Sequence, residues 1–142
     1  MLERRLCVMG EDNESTMNTK YWWSRTLHRM GKYEMAVKEF TNLYKQRARV
    51  LGPRHEDTLG TLNWVSFSLR EQGRYNESVQ SFRHAYDARV EVLGENHKDS
   101  LNSKYWIART LHKQGKYDEA NQLFKEVYDA QVCCLSFNYY CW

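Results

Sequence analysis

Two histidines at matching positions are the first residues in this sequence that could do chemistry. His55 and His97 are 42 residues apart, and each stands three residues after a Leu-Gly pair. Histidine is the most frequent general base and metal ligand in proteins, so both positions invite a catalytic or metal-binding interpretation. Copies that lie one repeat apart in equivalent loops cannot easily converge on one ion. We therefore predict that both histidines are structural.

Four cysteines are the other candidate ligands, namely Cys7, Cys133, Cys134 and Cys141. None forms a C-x-x-C pair or has a histidine at ligand spacing, which the usual zinc sites require. The sequence also has no glycine-rich phosphate loop, no Ser-His-Asp order and no paired acidic motif. We predict a protein that is not an enzyme, binds no metal or cofactor and keeps its thiols reduced in the cytoplasm.

Composition is that of a soluble protein. The chain has 142 residues, 42% of them hydrophobic and 27% charged, so it is long enough for one domain and too polar for a membrane span. Its net charge is +3, and the lysines and arginines are spread along the chain, which argues against a nucleic-acid surface. Nothing at the N-terminus resembles a signal peptide. We expect a cytoplasmic protein that binds neither membrane nor nucleic acid.

The elements that must position these residues follow from a repeat. The stretch 51–59 recurs 42 residues later at 93–101, and a Gly-Lys/Arg-Tyr triplet recurs at the same interval, beginning at Gly31, Gly73 and Gly115. A strict period of this length indicates a solenoid of helix pairs. The glycines should end the first helix of each pair, and the tyrosines that follow should lie in the turn. The predicted fold is therefore an all-α solenoid of antiparallel helix pairs.

The period divides the chain into units. Residues 1–14 are predicted to hold the end of a preceding repeat's second helix and a loop, with Gly10 ending that helix. Three units follow at 15–56, 57–98 and 99–134, and Ser15, Asp57 and Asp99 are expected to cap their first helices. Residues 135–142 form a divergent aromatic tail. Both ends break within a repeat, which favours a shortened chain, although the tail could instead fold back over the last unit.

The pattern small-x-x-Leu, x-x-x-Gly-x-Tyr, x-x-Ala-x-x-x-Phe resembles a tetratricopeptide repeat and covers nearly the whole chain. The 42-residue period with Leu-Gly-x-x-His-x-x-Thr/Ser-Leu between units is similar to the repeats of kinesin light chains. Similar repeats form the C-terminal arrays of fungal NACHT or NB-ARC proteins. The resemblance implies a right-handed superhelix whose first helices line an inner, concave groove.

The resemblance also assigns the exposed positions of that groove, which are aromatic and basic. The resemblance implies that these residues bind a partner protein or peptide, and Arg and Trp side chains favour one with acidic and apolar groups. The candidate groove residues are Tyr21, Trp22, Arg25, His28 and Arg29 in the first unit, Asn63, Trp64, Phe67, Arg70 and Glu71 in the second, and Tyr105, Trp106, Arg109, His112 and Lys113 in the third.

One alternative stays open. The aromatic residues could pack between neighbouring helices, in which case the chain would be a structural spacer or sensor fragment of a larger kinesin-light-chain-like or NACHT/NB-ARC signalling protein without a ligand of its own. Self-association is also expected, because repeat arrays expose apolar surface at an uncapped end.

Overall fold

The computed structural model describes residues 10–139, and the side chains of residues 10–134. Within that range the chain forms six α-helices and no strand, which confirms the all-α prediction. The helices are α1 (Glu14–Arg29), α2 (Tyr33–Leu51), α3 (Glu56–Glu71), α4 (Tyr75–Leu93), α5 (Lys98–Gln114) and α6 (Tyr117–Tyr139). The helix predicted before Gly10 and the last three residues of the tail lie outside the described residues.

Glycines end the first helix of each pair, as predicted. Gly31, Gly73 and Gly115 have φ values of +78°, +80° and +90°. This left-handed conformation is strained for any residue with a Cβ atom, so the position itself requires glycine. The prediction for the tyrosines was wrong by one residue. Each begins the second helix instead of lying in the turn, at Tyr33, Tyr75 and Tyr117.

The predicted N-caps were wrong, and the true caps stand two residues earlier. The side chain of Asn13 accepts a 2.9 Å hydrogen bond from the backbone N–H of Ser15. At the start of α3 and α5 the acceptor is the Nδ1 atom of a histidine, 3.1 Å from the donor in both cases. His55 and His97 are therefore the caps, and the residues predicted in that role supply the backbone donors, namely Ser15, Asp57 and Asp99.

The capping bonds also fix the state of both imidazole rings. Nδ1 of His55 accepts the N–H of Asp57, so this nitrogen carries no proton. The same atom lies 3.9 Å from the Asp57 carboxylate, but an unprotonated nitrogen forms no ion pair, and we assign the contact to capping alone. The pair formed by His97 and Asp99 repeats this arrangement.

The chain divides into two compact units, Met1–Arg74 and Tyr75–Trp142. The division falls between the two helices of the predicted unit 57–98. In the first unit α2 packs against both α1 and α3. Its core combines small and large apolar side chains, namely Leu27, Ala36, Phe40, Val65 and Leu69.

In the second unit α5 packs against both α4 and α6. Its buried apolar residues are Val79, Phe82, Ala85, Leu101, Ile107, Ala108, Leu111, Ala120 and Val127. The last helix continues to Tyr139, within the segment that the sequence marks as a divergent tail. The break in the repeat pattern therefore does not end the helix.

Most of the apolar positions that recur from repeat to repeat are buried or half-buried among the described residues, with four exceptions. Trp23 is 42% exposed on α1, Leu93 is 38% exposed at the end of α4, and Tyr128 and Val132 are exposed on α6. The residue one repeat after Trp23 is Val65, which is buried in the core of the first unit. Trp23 thus occupies a core position on a helix whose outer side no other helix among the described residues covers.

Two buried arginines have no counterpart in the sequence predictions. Arg47 and Arg89 lie 42 residues apart and are 4% and 5% exposed. Arg47 donates hydrogen bonds to Thr61 Oγ1 at 2.8 Å and to Asn18 Oδ1 at 2.8 Å, so it connects α1, α2 and α3. Arg89 donates to Ser103 Oγ at 2.7 Å and connects α4 to α5.

Candidate partner-binding site

An arginine held between two indole rings forms the centre of the candidate site in the first unit. The guanidinium carbon of Arg25 lies 4.6 Å from the ring centroid of Trp22 and 4.6 Å from that of Trp64. It also lies 5.7 Å from the ring of Tyr21. Cations are attracted to the faces of aromatic rings, so these contacts hold the guanidinium in place. The structure therefore brings together predicted residues from α1 and α3.

The rings hold Arg25 in place, but no acceptor among the described residues forms a hydrogen bond with it. Within the part of the chain that the structure describes, the guanidinium makes no hydrogen bond or ion pair, and its Nε atom is buried without a partner. An arginine presents five N–H donors in a planar fork that matches a carboxylate. The stacked Arg25 therefore retains its capacity to bind an anion.

The two indoles differ in their surroundings. Trp22 is 61% exposed and touches the edge of Tyr21, with 5.8 Å between the ring centroids. Trp64 is half-buried, because its ring stacks on Phe40 at 5.9 Å and 19° and meets the edge of Phe67 at 5.4 Å. Trp64 and Phe67 thus belong partly to the core, and Trp22 is the ring that faces solvent.

His28 joins α1 to α3. Its Nδ1 atom lies 2.9 Å from the hydroxyl of Ser68. That hydroxyl donates its single proton to the carbonyl of Trp64, so His28 must be the donor and carry its proton on Nδ1. Burial lowers the pKa of His28 below its ordinary value of 6.5. The predicted groove histidine therefore stabilises the packing of the helices.

The remaining predicted residues of this unit are less accessible to a partner. Arg70 is 13% exposed in its side chain and forms an ion pair with Glu71 at 3.3 Å. Asn63 is half-buried, and its Oδ1 atom has no hydrogen-bond partner within the described part of the chain. Tyr21 packs its ring against Phe40 at 6.1 Å. Arg25 and Trp22 are thus the two residues best placed to meet a partner.

The second unit contains a matching group of three residues. Arg109 is exposed, and its guanidinium carbon lies 4.9 Å from the Trp106 ring and 5.8 Å from the Tyr105 ring. Within the described residues this guanidinium likewise makes no hydrogen bond or ion pair. His112, also exposed, meets the ring of Tyr117 at 5.1 Å. The Tyr-Trp-x-x-Arg motif therefore folds the same way in both units.

A recurring hydroxyl beside the site was missed by the sequence predictions. Thr26, Ser68 and Thr110 each donate a hydrogen bond to the carbonyl of the tryptophan four residues earlier, at 3.0, 2.9 and 2.8 Å. Hydroxyl side chains commonly bond to this carbonyl within helices. The signal was present in the sequence as Trp-x-x-x-Ser/Thr, repeated every 42 residues.

Among the described residues, no three His, Cys, Asp or Glu side chains come close enough together to hold a metal ion. In the same part of the chain, no helix has the length and apolar character needed to cross a membrane. The thiols of Cys133 and Cys134 are free and exposed.

Comparison with known proteins identifies the family. A sequence profile of the tetratricopeptide repeat matches residues 57–131. This match covers more than half of the chain, so the protein belongs to the tetratricopeptide repeat family. Members of this family are generally protein-interaction modules.

Two solved structures superpose on this chain and confirm the fold of a helical repeat array. Nearly identical TPR-like repeats from Podosopora anserina, designated a kinesin light chain, superpose with a TM-score of 0.82 at 18% identity over 94% of this chain. A point variant of the same repeats gives a TM-score of 0.85, also at 18% identity, over 95% of this chain. The chain spans 63% and 64% of the lengths of those two chains. No curated protein matches the sequence at a significant level.

Proposed function

We propose that the protein binds a segment of a partner protein that carries acidic and apolar side chains, and that Trp22, Arg25 and Trp64 form the contact. One observation carries this proposal. Arg25 lies 4.6 Å from each of two indole rings but has no hydrogen-bond partner among the described residues. An oriented cation that lacks an internal anion is suited to receive a carboxylate.

Stacking reduces the conformational entropy that Arg25 would lose on binding. A free arginine side chain loses rotamer freedom when it binds, and that loss opposes association. The two indoles have already restricted Arg25, so less freedom remains to be lost. Trp22, which is 61% exposed, adds apolar contact area with few rotatable bonds. Together these residues favour a carboxylate beside an apolar side chain.

Arg109 and Trp106 of the second unit offer a second contact of the same chemistry. Their 4.9 Å separation repeats the stacking of Arg25 on Trp22. The proposed partner is therefore a protein or peptide with more than one acidic and apolar pair, and not a nucleic acid or a membrane. The free thiols of Cys133 and Cys134 are consistent with a reducing compartment, and we propose the cytoplasm as the location.

Labelled peptides test this proposal directly. One set of peptides alternates Asp or Glu with Leu, and a matched set replaces the acids with Asn or Gln. Fluorescence anisotropy should show binding of the acidic set alone. Arg25→Ala should weaken binding by about 1–3 kcal/mol, as expected for an interface hot spot. Arg83→Ala is the matched control, because Arg83 is exposed on α4 and is not stacked on an indole.

The spacer interpretation makes a different prediction for the same variants. If the rings and Arg25 only hold α1 against α3, Arg25→Ala should lower the melting temperature, and no acidic peptide should bind the wild-type protein. Trp64 gives this interpretation physical support, because it stacks on Phe40 in the core. Equal peptide binding by the wild type and a folded Arg25→Ala, Trp22→Ala double variant would rule out the proposed site.

A further inference from the structure

A cavity in the second unit lies between the end of α5 and the first turns of α6. It has a volume of about 390 Å³. Its lining combines aromatic, acidic and amide side chains, namely His112, Tyr117, Asp118, Ala120, Asn121 and Phe124. None of these residues belongs to the stacked Trp22, Arg25 and Trp64 site.

The first unit shows what fills such a cavity. His28 and Phe40 stand two repeats before His112 and Phe124, and in the first unit the helix α3 covers them. Trp64 of that helix stacks on Phe40 at 5.9 Å and meets the ring of His28 at 5.3 Å. Ser68, one turn later, accepts the hydrogen bond of His28 at 2.9 Å. The filling group is thus a tryptophan followed by a hydroxyl.

Helix α1 presents the same pair of side chains. Thr26 donates to the carbonyl of Trp22 at 3.0 Å, as Ser68 does to the carbonyl of Trp64. Three large apolar residues on α1 or directly after it are exposed, at 61%, 42% and 60%, namely Trp22, Trp23 and Met30. One repeat later these positions are Trp64, Val65 and Gln72, and all three face the preceding helix pair in the first unit.

We propose that helix α1 of one copy docks into the α5–α6 cavity of a second copy, so that the protein associates head to tail. The indole of Trp22 stacks on Phe124 and on Arg109 of the second copy, as Trp64 does on Phe40 and Arg25. Thr26 accepts the hydrogen bond of His112, as Ser68 accepts that of His28.

Charge favours a second copy as the occupant. The last turn of α1 carries Arg29, and the first turn of α6 carries Asp118 and Glu119. In the first unit Gln72, at the end of α3, lies beside Glu34 and Met35 at the start of α2. The same geometry between copies places the basic end of α1 beside the acidic start of α6. Opposite charges attract, so this contact favours a second copy.

A difference between the repeats at one position explains why this association should be reversible. Arg47 and Arg89 bond to hydroxyls of the following helix, but the next copy of this position is Gln131, which is exposed. The matching hydroxyl on a docked α1 is that of Thr19. Glutamine is shorter than arginine and uncharged, so the contact between copies lacks the bond that reinforces the contact within the chain.

The geometry also determines the kind of assembly. Each copy offers one α1 and one cavity, so the contact uses different surfaces on the two partners. Such heterologous contacts add copies in a row unless the rotation closes a ring. Trp22 belongs to both proposals, but the cavity residues and Gln131 lie outside the stacked site, so variants at Asn121 and Gln131 test self-association separately from peptide binding.

Sedimentation velocity of the full chain, measured over a wide range of concentrations, tests the proposal with two blocked variants. Trp22→Asp blocks α1, and Asn121→Arg blocks the cavity. Each variant alone should remain monomeric, whereas a mixture should form a 1:1 dimer through its remaining cavity and α1. Gln80→Arg is the matched control, because Gln80 is exposed on α4 and does not line the cavity.

A variant with tighter self-association keeps the test informative if the wild-type association is too weak to detect. Gln131→Arg should tighten self-association by about tenfold, because a new charge-assisted hydrogen bond to Thr19 is worth roughly that ratio. Circular dichroism checks that all variants remain folded. A wild type and a Gln131→Arg variant that are both monomeric would overturn the proposal. Self-association that survives Asn121→Arg but not Trp22→Asp would also overturn it, in favour of contact between two α1 helices.

Discussion

The guanidinium of Arg47 donates a 2.8 Å hydrogen bond to the hydroxyl of Thr61 and thereby joins α2 to α3. The same side chain reaches Asn18 on α1 at 2.8 Å and is only 4% exposed. Burial lowers the pKa of Arg47, although an arginine remains charged at neutral pH. A charge at this depth is held by several acceptors at once, so the loss of any part of this network should be costly.

Arg47→Lys should lower the free energy of unfolding by about 2–3 kcal/mol, because an ammonium group cannot span both Thr61 and Asn18 while buried. Urea unfolding followed by circular dichroism measures this change. Arg49→Lys is the control. Arg49 lies two residues away, is 67% exposed in its side chain and pairs with Asp12 at 2.7 Å. Exposed pairs contribute little to stability, so equal effects of the two variants would contradict the network.

The capping role of His55 predicts a specific pattern of substitutions. His55→Ala should cost about 1 kcal/mol, because the backbone N–H of Asp57 loses its 3.1 Å acceptor. His55→Asn should retain the stability of the wild type, since asparagine is a favoured cap. Thermal melts with and without added zinc separate this role from metal binding. A zinc-dependent rise in the melting temperature that requires both His55 and His97 would contradict the structural assignment.

The environment of His28 predicts a pH dependence of stability. Burial lowers the pKa of His28 in the folded state below 6.5, its ordinary value, so the unfolded chain binds more protons between the two pKa values. The contribution of the neutral ring is therefore complete above pH 6.5 and is lost as the pH falls through the folded-state pKa. NMR titration should give a pKa below 6.5. His28→Gln should flatten the dependence of the urea midpoint on pH in this range, and an unchanged slope would contradict the assignment.

The ion pair between Lys104 and Glu126 should make stability depend on pH in a second, more acidic range. Their side chains are 2.5 Å apart, and the hydrogen bond from Lys104 lowers the pKa of Glu126. Burial by itself would lower the pKa of Lys104, but the hydrogen bond to Glu126 and the nearby negative charges raise it. The folded state thus favours both charged forms.

Glu126→Gln should cost about 0.5–1 kcal/mol at neutral pH, a modest value because the Glu126 side chain is 40% exposed. The stabilisation exists above pH 4.5, the ordinary pKa of this group, and is lost as the pH falls through the folded-state value. The difference between the variant and the wild type in urea unfolding should therefore shrink in acid. A difference that stays constant down to pH 3 would show that the ion pair is not its cause.

Local features of the sequence were sufficient for the fold class and for the C-terminal ends of the first helices. The 42-residue period indicated helix pairs, and Gly31, Gly73 and Gly115 marked where the first helices stop. These predictions succeeded because a left-handed φ and a helical apolar stripe are properties of a short segment. The caps were misplaced because Ser and Asp are the commoner caps, whereas His55 and His97 accept the first-turn bonds here.

The sequence by itself determined which aromatic and basic residues recur, and so which ones could form a site. Only the tertiary structure decided that Arg25 lies between Trp22 and Trp64, that His28 is bonded to Ser68, and that Arg47 is buried. Each of these facts depends on the distance and orientation between two helices. Helical spacing fixes the face on which a side chain lies, but the packing of neighbouring helices fixes which groups it meets and whether water still reaches it.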